Sequence, residues 1–165
     1  MAHSLELLFE PDTEAAIRGI WDKLAAAQLA GRAAAGRPHV TLIAAEHIEP
    51  AVDQQLTPIT GQLPLPCAIG APVIFGRGTL VLARLVVPTR ELLDLHAEVH
   101  RLSSGHLTPM PNSRPGQWTA HVTLARRVPE SQLGRAVRIA GPPMVGSFAG
   151  LRRWDGDQRV EYPLG

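Results

Sequence analysis

The tetrapeptide His-Val-Thr-Leu occurs twice in this chain, as His39-Val40-Thr41-Leu42 and, eighty-two residues further on, as His121-Val122-Thr123-Leu124. Histidine can take up or give away a proton near neutral pH, and a threonine hydroxyl can donate to an anionic oxygen. Each copy sits in an apolar run, Pro38 to Ala45 and Thr119 to Val128, that reads as a buried strand. Side chains alternate across a strand, so His39 and Thr41 share one face, about 7 Å apart, while Val40 and Leu42 take the other. The second copy repeats the arrangement with His121 and Thr123. Two such strands side by side would set two imidazoles and two hydroxyls around one small anionic group.

The elements that must position these strands follow from patterning. Ser4 to Phe9 reads as a first strand ended by Glu10-Pro11-Asp12, after which Asp12 or Thr13 caps a helix running to about Ala30. Gly31 to Gly36 is a loop, and Pro38 fixes an extended entry to the first motif. A weaker helix is expected from Ile48 or Glu49 to about Ile59, broken by Gly61 to Pro66. Cys67 to Phe75 and Thr79 to Val87 form a hairpin about Gly76-Arg77-Gly78, and a well-patterned helix follows from Pro88-Thr89 to about Ser103. Residues 105 to 118, with three prolines and two glycines, read as the longest irregular stretch. Beyond the second motif, Pro129-Glu130-Ser131 opens a helix to about Ile139, and Val145 to Gly150 begins a last β region. Asp155-Gly156 then predicts a terminal hairpin between Arg152-Arg153-Trp154 and Arg159 to Tyr162.

Length and composition set bounds on this picture. At 165 residues, 45% of them hydrophobic, the chain has the size of one domain, 1–165, with a sizeable core. A formal charge of +1 excludes a strong global attraction to nucleic acid, although a local phosphate-binding surface is compatible with a pI near 8.1. Of sixteen basic residues only Lys23 is a lysine, a bias that fits a GC-rich genome as well as it fits phosphate binding. Cys67 is alone, so no intrachain disulfide forms, and neither a signal peptide nor a membrane-spanning run is visible. The expected location is the cytoplasm, with no membrane partner, and the expected state is a monomer.

The paired His-x-Thr pattern, each copy followed by leucine, resembles the 2H phosphoesterase superfamily, in particular its 2'-5' RNA ligase and cyclic phosphodiesterase branch. The resemblance extends to the strand-helix alternation and to the ending Leu151-Arg152-Arg153-Trp154-Asp155-Gly156. Together with the rough internal repeat it implies an α+β fold of two lobes related by a pseudo-twofold axis. Each lobe is then an antiparallel sheet with helices on its outer face, and the groove between them holds both motifs. It further implies opening of 2',3'-cyclic phosphates on RNA or a nucleotide, with reversible 2'-5' ligation as a related activity. His39 and His121 would be the catalytic pair, and Thr41 and Thr123 would hold the phosphate. Which histidine is acid and which is base does not follow from the residues; the resemblance implies His39 as acid and His121 as base. No cofactor and no metal are implied.

Other residues have more than one reading. Related proteins often carry a basic residue after the second motif, and that resemblance singles out Arg126 as a phosphate ligand. Strand alternation instead puts Arg127 on the face of His121, unless a bulge intervenes. Trp118 and Phe75 could stack on a base, but the core is the expected place for both. His96 and His100, four apart on a helix, could chelate a metal; a solvated face is the expectation. A different function class also stands: a non-catalytic nucleotide- or RNA-binding module on the same fold.

Overall fold

The computed structural model describes residues 2–29 and 36–165. In chain order the strands are β1 (His3–Phe9), β2 (His39–Ile48), β3 (Leu65–Phe75), β4 (Thr79–Val86), β5 (Leu107–Pro109), β6 (His121–Pro129), β7 (Met144–Asp155) and β8 (Val160–Leu164). The helices are α1 (Pro11–Ala26), α2 (Val52–Leu56), α3 (Arg90–Ser103) and α4 (Leu133–Ala140). Every strand pairing is antiparallel, in the order β5-β2-β1-β7-β3-β4-β6, with β8 also on β7.

The two lobes are thus halves of one sheet. β7 joins them, because its twelve residues serve both: Phe148 to Trp154 pair with β1, while Met144 to Phe148 pair with β3. One half is β5-β2-β1 and carries the first motif; the other is β3-β4-β6 and carries the second. β5 covers the outer side of β2 only at Ala45 and Ile48, and β2 also approaches β6 from the other end of the sheet, so the sheet bends round and brings its motif strands near each other.

The helices are exchanged between the halves. α1 follows β1 but packs against α4, β6 and β7, and α3 follows β4 but packs against α2 and β2. Their buried faces are those the periodicity requires: Ile17 and Leu24 on α1, and Leu92, Leu95 and Val99 on α3. The Thr89 hydroxyl accepts from the Leu92 amide at 3.2 Å and starts α3 at the expected place. Close approach fixes α1: a Cβ at Gly146 on β7 would lie 2.4 Å from the Thr13 side chain, whose hydroxyl accepts from the Ser147 amide. Only glycine lets the helix start lie so near the strand.

Several boundaries differ from the pattern reading. α1 ends at Ala26, where Gln28 takes a left-handed φ of 59°, and the loop expected over 31–36 lies outside the described residues except for Gly36. β2 continues to Ile48 because Ala45 and Ile48 pair with Pro109 and Leu107. The stretch 105–118 is therefore not wholly irregular. It contributes β5 and a 3-10 turn at Pro111–Ser113, and it is tied to β2 through Met110 N to Ala44 O at 2.8 Å and Ala44 N to Ser113 Oγ at 3.1 Å. The second helix is short, α2 followed by a 3-10 segment at Thr57–Gln62. The terminal hairpin forms where Asp155 accepts the amides of Asp157 and Gln158 at its turn.

Candidate active site

Alternation in the two motif strands places the side chains as expected. Val40, Leu42, Val122 and Leu124 are buried beneath the helices, whereas His39, Thr41, His121 and Thr123 are half-buried on the other face. Each imidazole is held in the same way: His39 Nδ1 donates to the Arg37 carbonyl at 2.8 Å, and His121 Nδ1 to the Thr119 carbonyl at 2.7 Å. A carbonyl can only accept, so the proton is on Nδ1 in each neutral ring and Nε2 is left for chemistry.

Reciprocal tryptophans secure the backbones of these strands. Trp21 of α1 donates Nε1–H to the Thr123 carbonyl at 3.0 Å, and Trp118 donates to the Thr41 carbonyl at 2.9 Å. Trp118 was expected in the core, and it does pack against it half-buried. Its ring also stacks on His96, 3.8 Å between centroids and 3° from parallel. His96 does not lie on a solvated face, as its sequence position suggests, but is 1% exposed. Its Nε2 donates to the Leu42 carbonyl at 3.0 Å, and His100 Nε2 donates to the Ser113 carbonyl at 2.7 Å. Burial, with help from the charge of His100, pushes His96 down to about 4, and burial lowers His100 too. With both Nε2 atoms committed to carbonyls, this pair is a brace for the 105–118 stretch rather than a chelate. Among the described residues the group with metal-ligand spacing is His3, Asp155 and Asp157 at the β7-β8 turn, where the acids already face His3 as ion-pair partners.

The surroundings of the two histidines differ. Phe75, expected in the core, instead stands against the His121 ring, centroids 4.6 Å apart and tilted by 51°. Burial lowers the His121 pKa, and the nearby charges of His39 and Arg126 add to the effect. Bulges in the β4-β6 ladder around Ala125 intervene in the alternation, and Arg127 adopts a left-handed φ of 57°. Both arginines are exposed, and it is Arg126 whose charge bears on His121. On the other side, Glu6 of β1 approaches His39, its Oε1 3.5 Å from Nε2. Glu6 is 3% exposed and held by Arg152 Nε at 2.7 Å and the Ser4 hydroxyl at 2.5 Å, and Arg152 continues to Glu161 at 2.6 Å. Pattern reading did not single out Glu6. Its one signal was a lone carboxylate in the apolar run Ser4 to Phe9, on the opposite parity from Leu5 and Leu7.

The model of the 2'-5' RNA ligase superfamily matches residues 9–148, most of the chain and both motifs. The chain belongs to the 2'-5' RNA ligase superfamily. Among curated proteins none matches it by sequence. Solved structures with this fold include E. coli LigT in apo form, at 15% identity and TM-score 0.63, with 99% of this chain and 94% of that one covered. LigT complexed with 3'-AMP aligns at TM-score 0.57, 15% identity and the same coverage. Usb1 of Kluyveromyces marxianus with uridine monophosphate aligns at TM-score 0.50 and 13% identity over 99% of this chain and 98% of that one. At these identities the likeness is one of fold. As a 2'-5' RNA ligase superfamily member the chain carries its two His-x-Thr copies on β2 and β6, strands from opposite ends of one sheet that approach each other, where the resemblance implied two separate sheets. Its apolar stretches lie in the core, and no helix among the described residues is long and apolar enough to cross a membrane.

Proposed function

We propose that this chain, as a single domain over 1–165 acting as a cytoplasmic monomer, opens 2',3'-cyclic phosphates of RNA ends or small nucleotides. Reversible 2'-5' ligation would be the same chemistry run backwards. The observation that carries the reading is the pair of Nδ1-anchored imidazoles, each with a threonine two residues on, on strands in contact. A general base and a general acid on either side of phosphorus are what in-line opening needs, at about 10² to 10⁴-fold each.

The unequal surroundings of the two imidazoles support a division of roles. His121, whose pKa is lowered by burial, is neutral at physiological pH and its Nε2 takes a proton from the attacking water. The water oxygen bonds to phosphorus as the ribose oxygen departs, and His39 Nε2 delivers a proton to that oxygen. Glu6 Oε1 lies 3.5 Å from this nitrogen. Thr41 and Thr123 donate to the non-bridging oxygens, and Arg126 adds positive charge on the His121 side. Family membership and the nucleotide ligands of LigT and Usb1 support the substrate class.

A panel of 2',3'-cyclic nucleotides, RNA ending in a cyclic phosphate, and cyclic-phosphate derivatives of ADP-ribose tests the reading. Opening of at least one, with loss in His39→Ala, is expected. Saturable binding without turnover of any would instead establish the binding-module alternative.

A further inference from the structure

A cavity of about 590 Å³ lies beside the first motif, outside the five residues proposed to act at phosphorus. Part of its lining comes from the His39 side of the sheet, and the start of α1 closes it. Leu8 is the cross-strand partner of His39 on β1, Gly150 is the partner of Leu8 on β7, and Pro163 faces Arg152 on β8, so these residues share the His39 face. The lining is mainly apolar, and Leu151 and its cross-strand partner Leu164 join it from the opposite face at the strand ends. At its wall stand Arg37, two residues before His39, and Arg18 of α1.

Both guanidiniums are anchored on one carboxylate. Glu14 Oε1 accepts from Arg18 Nε and Nη2 at 3.1 and 2.9 Å, and Oε2 accepts from Arg37 Nη2 at 3.0 Å. Burial pushes the Glu14 carboxyl up, but the two arginines outweigh it and hold it below the usual carboxylate range. Two positive charges thus share one negative charge at the rim. Arg37 Nε and Nη1 and Arg18 Nη1 hold no hydrogen bond among the described residues, and the side chains are 37% and 44% exposed. A forked, pre-oriented donor pair beside an apolar lining suits a phosphoryl group attached to a nucleoside. The size is also right, since small-molecule sites run from about 300 to 1,000 Å³.

The proposed reaction says which part of a substrate would arrive there. When a 2',3'-cyclic phosphate opens, the leaving oxygen belongs to the ribose, so the nucleoside lies on the side of the acid. With His39 as acid, that is the side of this cavity. We propose that the cavity receives the nucleoside whose cyclic phosphate lies between the histidines, and that Arg37 and Arg18 bind its 5'-phosphoryl group. Substrates bearing a 5'-phosphoryl substituent are therefore preferred over 5'-hydroxyl nucleosides. This rests on the reading of His39 as acid. The phosphoryl group can be the internal phosphodiester of an RNA 3' end or the 5'-phosphate of a free nucleotide, which is the same chemistry at the arginines.

The test compares adenosine 2',3'-cyclic phosphate with its 5'-phosphorylated form and with the dinucleotide in which a phosphodiester occupies the 5' position. In parallel, calorimetry compares adenosine 3',5'-bisphosphate with adenosine 3'-monophosphate, which differ only at the 5' end. A charge-assisted contact gives roughly tenfold or more in favour of the 5'-phosphoryl member of each pair. Arg37→Gln and Arg18→Gln should each bring the ratios to within about threefold of one, and Arg101→Gln, on the far surface of α3, should leave them as they are. A gain with the dinucleotide marks RNA ends as entrants; a gain confined to the 5'-monophosphate marks free nucleotides. Equal constants within both pairs in the unmodified protein overturn the subsite while leaving the proposed reaction standing. If no cyclic phosphate is opened but the bisphosphate ratio holds and collapses in the arginine variants, the subsite stands and the proposed reaction falls.

Discussion

Acid should loosen the brace behind the first motif, and the size of the effect can be worked from one residue. His96 is 1% exposed, stacked on Trp118, and held neutral with a pKa of about 4 instead of 6.5. A group whose folded pKa is depressed below its unfolded value binds its proton first in the unfolded chain. For a histidine this means that the stabilisation is fully present above about pH 6.5 and is lost as pH falls through about 4. At about pH 5 the loss from this site is about 2 kcal/mol, approaching 3 kcal/mol near the folded pKa, and about 2 kcal/mol is a Tm change of about 4 to 8 °C for a chain this size. His100, itself lowered by burial and facing Arg114, titrates in the same direction, so the measurement is a difference. Urea unfolding of the wild type and His96→Gln at about pH 7.5 and about pH 5 supplies it, because His100 stays in both. The wild type should lose about 2 kcal/mol more than the variant between the two conditions. Parallel losses would refute the argument, since they would mean that His96 does not stay neutral in the fold.

Further outcomes concern the site itself. His39→Ala and His121→Ala should each remove nearly all turnover while remaining folded, and the double variant should be little worse than either; small additive losses would count against an acid-base pair. The pH profile should be bell-shaped, and because burial lowers the His121 pKa the acidic limb should lie below the ordinary histidine range near 6.5. Thr41→Val and Thr123→Val keep shape and strand preference but remove the hydroxyl, so kcat/KM should fall about ten- to two-hundredfold, and wild-type rates from a folded variant would show that the hydroxyl does not touch phosphate. Activity should survive EDTA, because hydroxyls, an imidazolium and Arg126 are proposed to meet the phosphate charge; restoration of a lost activity by a divalent ion alone would sink that.

What could be read from the sequence was whatever obeys a local period. Alternation in Pro38 to Ala45 and Thr119 to Val128 gave the shared face of each histidine and threonine, and helical spacing gave α1 and α3 to within a few residues. Contacts between distant segments were not available by that route. Phe75 and His96 were misjudged because a strand phenylalanine and a helical histidine have no local mark of what they will face: Phe75 meets a residue 46 positions away and His96 one 54 positions away. Arg126 and Arg127 turned on a bulge, which one extra residue creates and no periodicity announces. The irregular composition of 105–118 hid β5, since three residues beside prolines carry too little pattern to register.

The exchange of helices ties the two identical tetrapeptides to each other. If each half were self-contained, the relative position of His39 and His121 would depend on the strand edges alone, and only β7 would link the halves. Instead the indole of Trp21 reaches from the helix after β1 to the Thr123 carbonyl of β6, and His96 reaches from the helix after β4 to the Leu42 carbonyl of β2. Trp118, stacked on that same histidine, holds the Thr41 carbonyl. Each motif strand is therefore fixed by groups that belong to the other repeat. A displacement of either half would disturb donors on both, so the core restrains the relative position of the imidazoles, as the proposed in-line reaction requires. Within that symmetric frame the differences are local: Phe75 and Arg126 beside His121, Glu6 beside His39. The repeat supplies the shared geometry, and these three residues make the surroundings of the two imidazoles unequal, as the proposed acid and base require.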